Sequence, residues 1–211
     1  MNQTKKTSGS RERIVETAIS LFARKGFAAV GLRELAREAD VNLAMINYFF
    51  GSKKGLLKEI LDGVFSGYIA LARQHLCGPE PPEQKIRRFI HHAIDYFSAN
   101  RDCLIILLTE LPHEDPDIIE YKAQWVKKIM PVIQDEICDP LKQDHGIVIS
   151  PVVIGPLMLS MMSSRFLFAP MIATVNPPGL KEEFLDRYPD LVADIFLNGL
   201  NGLATHKGER T

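Results

Sequence analysis

The stretch GLRELAREADVNLAMINYFFGSKKGLL, residues 31–57, decides the fold. Leu32 to Ala39 reads as a short helix with Leu35 and Ala36 turned inward, and Gly31 is a tolerable N-cap. Ala39-Asp40-Val41 follows as a tight turn, which suits Asp because a short polar side chain tolerates a left-handed backbone. Asn42 caps a third helix, about Leu43 to Phe49. Gly51-Ser52 breaks it, and Ser52 caps a long helix from Lys53 to about Leu76. Upstream, Ile14, Ala18, Leu21 and Phe22 share one face of a helix that begins at Ser10 and stops at Gly26, a C-terminal glycine signal. Residues 1–9 read as a disordered basic arm.

Gly78-Pro79-Glu80-Pro81-Pro82 is the clearest break in the chain. Beyond it, helices are expected over about 83–98 and 101–111. Asp115-Pro116 starts another, with Asp as cap and Pro at the first helical position; Pro131 should kink or end it. Ser150-Pro151 repeats the start signal for a helix to about Thr174. Asn176-Pro177-Pro178-Gly179 is a loop, and the last helix or helix pair covers 180–205, with Leu185, Leu191, Ile195, Phe196 and Leu200 apolar. Ile147-Val148-Ile149 suits a short extended piece, but no segment alternates with period 2 for long. The fold class is all-α.

Charge is divided along the 211 residues. Residues 1–60 hold 11 Lys/Arg against 6 Asp/Glu, a net +5, while the remainder is net −6. A basic end on an acidic body suits contact with a polyanion. The three cysteines, Cys77, Cys103 and Cys138, are far apart and fit reduced thiols in the cytoplasm. The polar N-terminus lacks the apolar core of an export signal. Residues Gly146 to Ser164 are uncharged over about the length of a bilayer span. Pro151, Gly155 and Pro156 interrupt them, so a helix buried in a core or dimer interface is expected, with no membrane partner.

Three short helices with a tight turn before the third are the geometry of a helix-turn-helix, whose third helix enters the DNA major groove. Small or polar residues must face the groove, and Leu43, Ala44, Asn47 and Tyr48 are available there. Asn bonds adenine bidentately, Ala touches a thymine methyl, and Tyr reaches a phosphate. Lys53 and Lys54 open the next helix, where backbone N–H groups also favour a phosphate. Arg33, in the first turn of the second helix, and Asn42 complete the expected DNA surface.

The segment from Arg11 to Leu57 resembles the TetR family of bacterial repressors. The resemblance is carried by Ile14-Val15-x-x-Ala18, Leu21-Phe22-x-x-x-Gly26-Phe27, Leu32-Arg33-Glu34-Leu35-Ala36, Ala39-x-Val41 and Ile46-Asn47-Tyr48-Phe49-Phe50-Gly51-Ser52-Lys53-Lys54-x-Leu56-Leu57. The Ile-Asn-Tyr run is similar to one subgroup. Val30 and Gly31 stand where many members carry two hydroxyl residues, and Asp40 where a glycine is frequent. The resemblance implies a DNA-binding domain over 10–57 joined by a long helix to a ligand-binding and dimerisation domain over 58–211. It also implies a homodimer on a palindromic double-stranded operator, with the last two long helices of each subunit pairing into a four-helix bundle. A small-molecule effector would alter the spacing of the two heads.

Candidate pocket residues follow from helix faces. Met158, Met162 and Phe166 suit an adaptable apolar pocket, hence an apolar or amphipathic effector. They also suit plain core. Trp125 reads equally as pocket wall or core, and Arg165 as a partner for an acidic ligand or a surface ion pair. No cofactor, metal or catalytic residue is expected. His91 and His92 point apart on their helix, His113-Glu114 lacks the second His of a zinc-protease motif, and no nucleophile-elbow or phosphate-loop pattern occurs. A ligand- or partner-binding module that has lost DNA reading remains the alternative, and repressor and activator are not separated.

Overall fold

The computed structural model describes residues 2–110, 114–175 and 186–205. Among them every regular element is helical and none is a strand. The chain divides into two compact units, Met1–Ser66 with Asn100–Lys122, and Gly67–Ala99 with Ala123–Thr211.

The first unit opens with α1 (Asn2–Lys25), α2 (Leu32–Glu38) and α3 (Leu43–Phe50), followed by the start of α4 (Lys53–Leu76). Asn42 caps α3 by accepting the Ala44 N–H at 2.9 Å, and Ser52 Oγ accepts the Gly55 N–H at 3.0 Å. Asp40 takes the left-handed conformation, φ 49°. These are the expected signals. The helix, however, starts at Asn2 and not Ser10, so residues 2–9 are no disordered arm. Once a helix is nucleated, each added residue needs only one further hydrogen bond, and this stretch contains no proline. Phe22, Ile14, Leu35, Ile46, Leu56 and Leu57 form its centre, all fully buried. Each such side chain contributes about 1.5–3 kcal/mol.

The first unit also takes in α6 (Arg101–Ile105), the π-helical turn Ile106–Glu110, and the beginning of α7 (Pro116–Ile133). A single regular helix over 101–111 is therefore corrected: it widens at Ile106, and Leu111 lies outside the described residues. The Thr109 hydroxyl donates to the Ile105 carbonyl at 2.9 Å, one route by which a side chain loosens a helical ladder.

The second unit is built round α5 (Pro82–Ala99), whose stripe Ile86, Phe89, Ile90, Ala93, Ile94 and Phe97 is buried. α9 (Pro151–Leu167) and α11 (Tyr188–Thr205) pack on it. Pro131 does not end α7, which runs two residues further into the π-helical turn Gln134–Cys138 and then α8 (Asp139–His145). Residues 147–149 form no strand.

The helix expected from Pro151 to Thr174 breaks at Phe168, and α10 (Ala169–Val175) leaves at 50°. Pro170 accounts for the break: it lacks an N–H and its ring clashes with the carbonyl four residues back. α9 is not buried all round. Ile154, Met158 and Met162 face inward while Val152, Val153 and Leu157 are about half exposed. Among the described residues no single helix is long and apolar enough to cross a membrane, although α9 and α10 pass that test as a bent pair. Residues 176–185, including the Asn176–Gly179 loop and Leu185, lie outside the described residues, as does His113.

Candidate nucleic-acid interface

α3 presents two faces. Ile46 is fully buried against the first unit. Ala44, Asn47 and Tyr48, spaced i, i+3, i+4, are exposed together, and Leu43 is half-buried at their edge. Tyr48 stands 81% exposed, in edge contact with the Phe49 ring at 5.3 Å. Asn42 is exposed at the helix start, although its side-chain oxygen is committed to the cap. Arg33 is exposed on α2 and makes no ion pair with any described residue. Val30, where a hydroxyl residue is frequent, is buried, and Gly31 provides no side-chain cap to α2.

The two lysines divide. The Lys53 ammonium donates to the carbonyl of Ala28 and lies over the Phe27 ring, and burial draws its pKa down. The Lys54 ammonium turns elsewhere than expected, to Asp115 at 2.8 Å and Asp117 at 3.2 Å. The hydrogen bond to Asp115, then that to Asp117, raises its pKa. Tyr121 joins the same contact, donating to the Lys58 carbonyl at 2.8 Å and to the Asp62 carboxylate. Asp115, Asp117 and Tyr121 were invisible to sequence reasoning in this role. Asp115 signals only a helix start, and no local pattern pairs residues 61 positions apart.

In the second unit Met158, Met162 and Phe166 are buried, and Phe166 meets Phe97 edge-on at 6.5 Å. Phe97 in turn stacks on Tyr68 at 5.6 Å, and Tyr68 tilts against Phe89 at 5.8 Å. Desolvation pushes the Tyr68 hydroxyl far up, so it stays a protonated donor. The periodicity of α5 already marks Phe89 and Phe97 as inward, a signal the sequence reading left unused. Arg165 lies over the rings of Phe166 and Tyr188, 5.2 and 5.3 Å away. Trp125 is half-buried under the Lys128 ammonium at 3.8 Å. An apolar cleft of about 140 Å³ in this unit is lined by Pro81, Pro82, Ile86, Leu141, Leu197 and Leu200 among others, and by none of the five expected pocket residues.

A short helix with an exposed face, capped by Asn42 after the turn that follows α2 and packed through Ile46 on the core of the first unit, defines a helix-turn-helix protein of all-α build. Residues 14–60 match the family described as bacterial regulatory proteins, tetR family. YttP of Bacillus subtilis, named a probable HTH-type transcriptional regulator, is 41% identical over 122 residues, 56% of this chain and 58% of that one. The HTH-type transcriptional repressor NicS of Pseudomonas putida is 27% identical over 105 residues, half of each chain. The chain thus spans about half the length of these curated relatives. The transcriptional regulator FadR from Bacillus subtilis, solved in complex with stearoyl-CoA, superimposes with a TM-score of 0.67 at 12% identity, over 92% of this chain and 97% of that one. Residues 14–60 thus carry the DNA-binding region of the TetR family, in a chain similar to transcriptional regulators of that kind.

Proposed function

We propose that the protein is a ligand-responsive transcriptional repressor that binds a palindromic operator as a homodimer. Residues 10–57 form the DNA-binding domain and 58–211 the ligand-binding and dimerisation domain. The observation that carries the reading is the exposed face of α3, where Ala44, Asn47 and Tyr48 stand clear of the fold. In this reading Asn47 addresses a base edge, Ala44 and Leu43 make apolar contact, and Tyr48, Asn42, Arg33 and Lys53 hold phosphate. The setting is the cytoplasm, where operator DNA lies. NicS, a repressor by name, supports the sign of regulation.

The homodimer is supported by unpartnered apolar faces on two helices. α9 exposes Val152, Val153 and Leu157; α11 exposes Leu191 and Ile195 one turn apart. Such faces on two packed helices suit a four-helix bundle with a second copy. The effector is apolar or amphipathic. Its support is the ring set Tyr68, Phe89, Phe97 and Phe166 beside Met158 and Met162, with one buried hydroxyl to orient a polar group. Trp125 and Arg165 remain its outer candidates. The FadR structure with an acyl-CoA shows that a fold of this kind accommodates such a molecule.

Fluorescence anisotropy against DNA from upstream of the coding region, across a salt series, tests the function. Tight, sequence-dependent binding that weakens steeply with salt supports it. Equal, weak binding to every duplex would favour a ligand-binding module that no longer reads DNA.

A further inference from the structure

We propose that Lys54 is a positioning residue, held by Asp115 and Asp117 in a clasp that fixes the pose of the reading helix, and is not a phosphate contact. The proposal rests on the DNA-reading function above and names a device within it. Only Gly51 and Ser52 separate α3 from α4, so the first turn of α4 sets the direction of the reading helix. Lys54, Lys58 and Asp62 recur every fourth residue and share one face of α4. Each meets the start of α7. Lys54 reaches both aspartates, the Tyr121 hydroxyl takes the Lys58 carbonyl and the Asp62 carboxylate, and the Lys58 ammonium sits 5.3 Å from the Tyr121 ring centre.

Asp115 does two jobs with its two oxygens. Oδ1 accepts the Asp117 N–H at 3.0 Å as the cap of α7, which leaves Oδ2 for Lys54 at 2.8 Å. Adjacent residues on a helix point about 100° apart. Lys53 therefore goes to the loop carbonyl of Ala28 while Lys54 goes to α7, and two carboxylates already neutralise the second ammonium. α7 continues unbroken from Pro116 to Ile133, so the clasp grips the first turn of a helix that runs out of the first unit. A shift of that turn would be felt at Lys54, and through it at α3.

Full-length variants test this: Lys54→Gln, Lys54→Arg, Asp115→Asn with Asp117→Asn, and Tyr121→Phe. Asn keeps the helix cap and Phe keeps the ring. Amide hydrogen exchange over residues 43–57 of the free protein is one readout. Binding across a salt series to a duplex selected from a randomised library is the other. The Gln, Asn-pair and Phe variants are expected to speed exchange over 43–57 more than over α5. They should weaken the selected duplex by about three- to tenfold with no change in salt slope. Combining Lys54→Gln with the Asn pair should add little, and Lys54→Arg should behave as the parent. A slope reduced by about one for Lys54→Gln, with tighter binding for the Asn pair, overturns the proposal, since Lys54 would then be a phosphate ligand for which the aspartates compete. Unchanged exchange over 43–57 overturns it as well. If the parent protein shows no sequence preference, DNA reading falls, and the exchange result still decides the clasp.

Discussion

The Lys53 ammonium donates to the carbonyl oxygen of Ala28 across 3.3 Å, with the Phe27 ring centre 4.4 Å away. One lysine thus ties the loop between α1 and α2 to the first turn of α4, beside the face proposed for DNA. Lys53→Ala is expected to weaken binding to operator and scrambled duplex by similar factors and to make the salt slope shallower by about 1. Anisotropy on both duplexes measures this. An unchanged slope would leave Lys53 a purely structural role.

Asn47 lies on the exposed side of α3 with its neighbours Ala44 and Tyr48. Asn47→Ala is expected to relax discrimination at one base pair by about 1–3 kcal/mol, as loss of a bidentate contact does. Binding to a set of single-position operator variants separates the possibilities. Equal loss on all of them would make Asn47 a backbone contact.

Two glycines of α4 provide a matched pair. A Cβ at Gly55 would sit 2.0 Å from the Phe50 carbonyl oxygen, a backbone atom that cannot swing aside, whereas at Gly63 nothing lies within 4 Å. Gly55→Ala should cost about 1–3 kcal/mol through overpacking. Gly63→Ala should gain up to about 1 kcal/mol from helix propensity. Urea unfolding followed by circular dichroism gives both numbers, and the opposite order would show that the α3–α4 junction relaxes freely.

Leu157 on α9 and Ile195 on α11 are each about half exposed among other apolar residues. Placing Glu at both is expected to yield a monomer by sedimentation and to abolish tight operator binding, because two linked heads are needed to span two half-sites. An unchanged mass would put the dimer contact on another face.

Lys54 beside Asp115 holds that carboxyl below its ordinary value, with the N–H groups of Ile118 and Asp117 adding to the effect. A carboxylate depressed in the folded state adds stability above its unfolded pKa, roughly 4, and loses it as pH falls through the folded value. Both side chains remain partly open to solvent, which screens the pair, so the contribution is small. Asp115→Asn should therefore be slightly less stable than the parent at neutral pH and converge with it as pH falls below about 4, which flattens the acid side of its stability curve. Stability curves that superimpose from acid to neutral pH would show that the pair has no influence on folding.

The all-α class, the caps at Asn42 and Ser52, the turn at Asp40 and the likeness of the first sixty residues to the TetR family were legible along the chain. Each of these rests on local chemistry: a side chain bonding a backbone group two or three residues away, or an apolar period along one helix. The inward set Ile14, Ala18, Leu21, Phe22, Leu35 and Ala36 was legible for the same reason. The break at Phe168 was also written locally, in Pro170, although the apolar run through it reads as one helix. Where the charges go depends on contacts between distant segments. Lys53 and Lys54 are identical and adjacent, yet one meets Ala28 and the other Asp115 and Asp117, partners 25 and 61 to 63 positions away. Tertiary packing likewise turned α9 into a helix with one buried and one open apolar face. Hydropathy records that a residue is apolar; which of its two faces finds a neighbour depends on elements packed from distant parts of the chain.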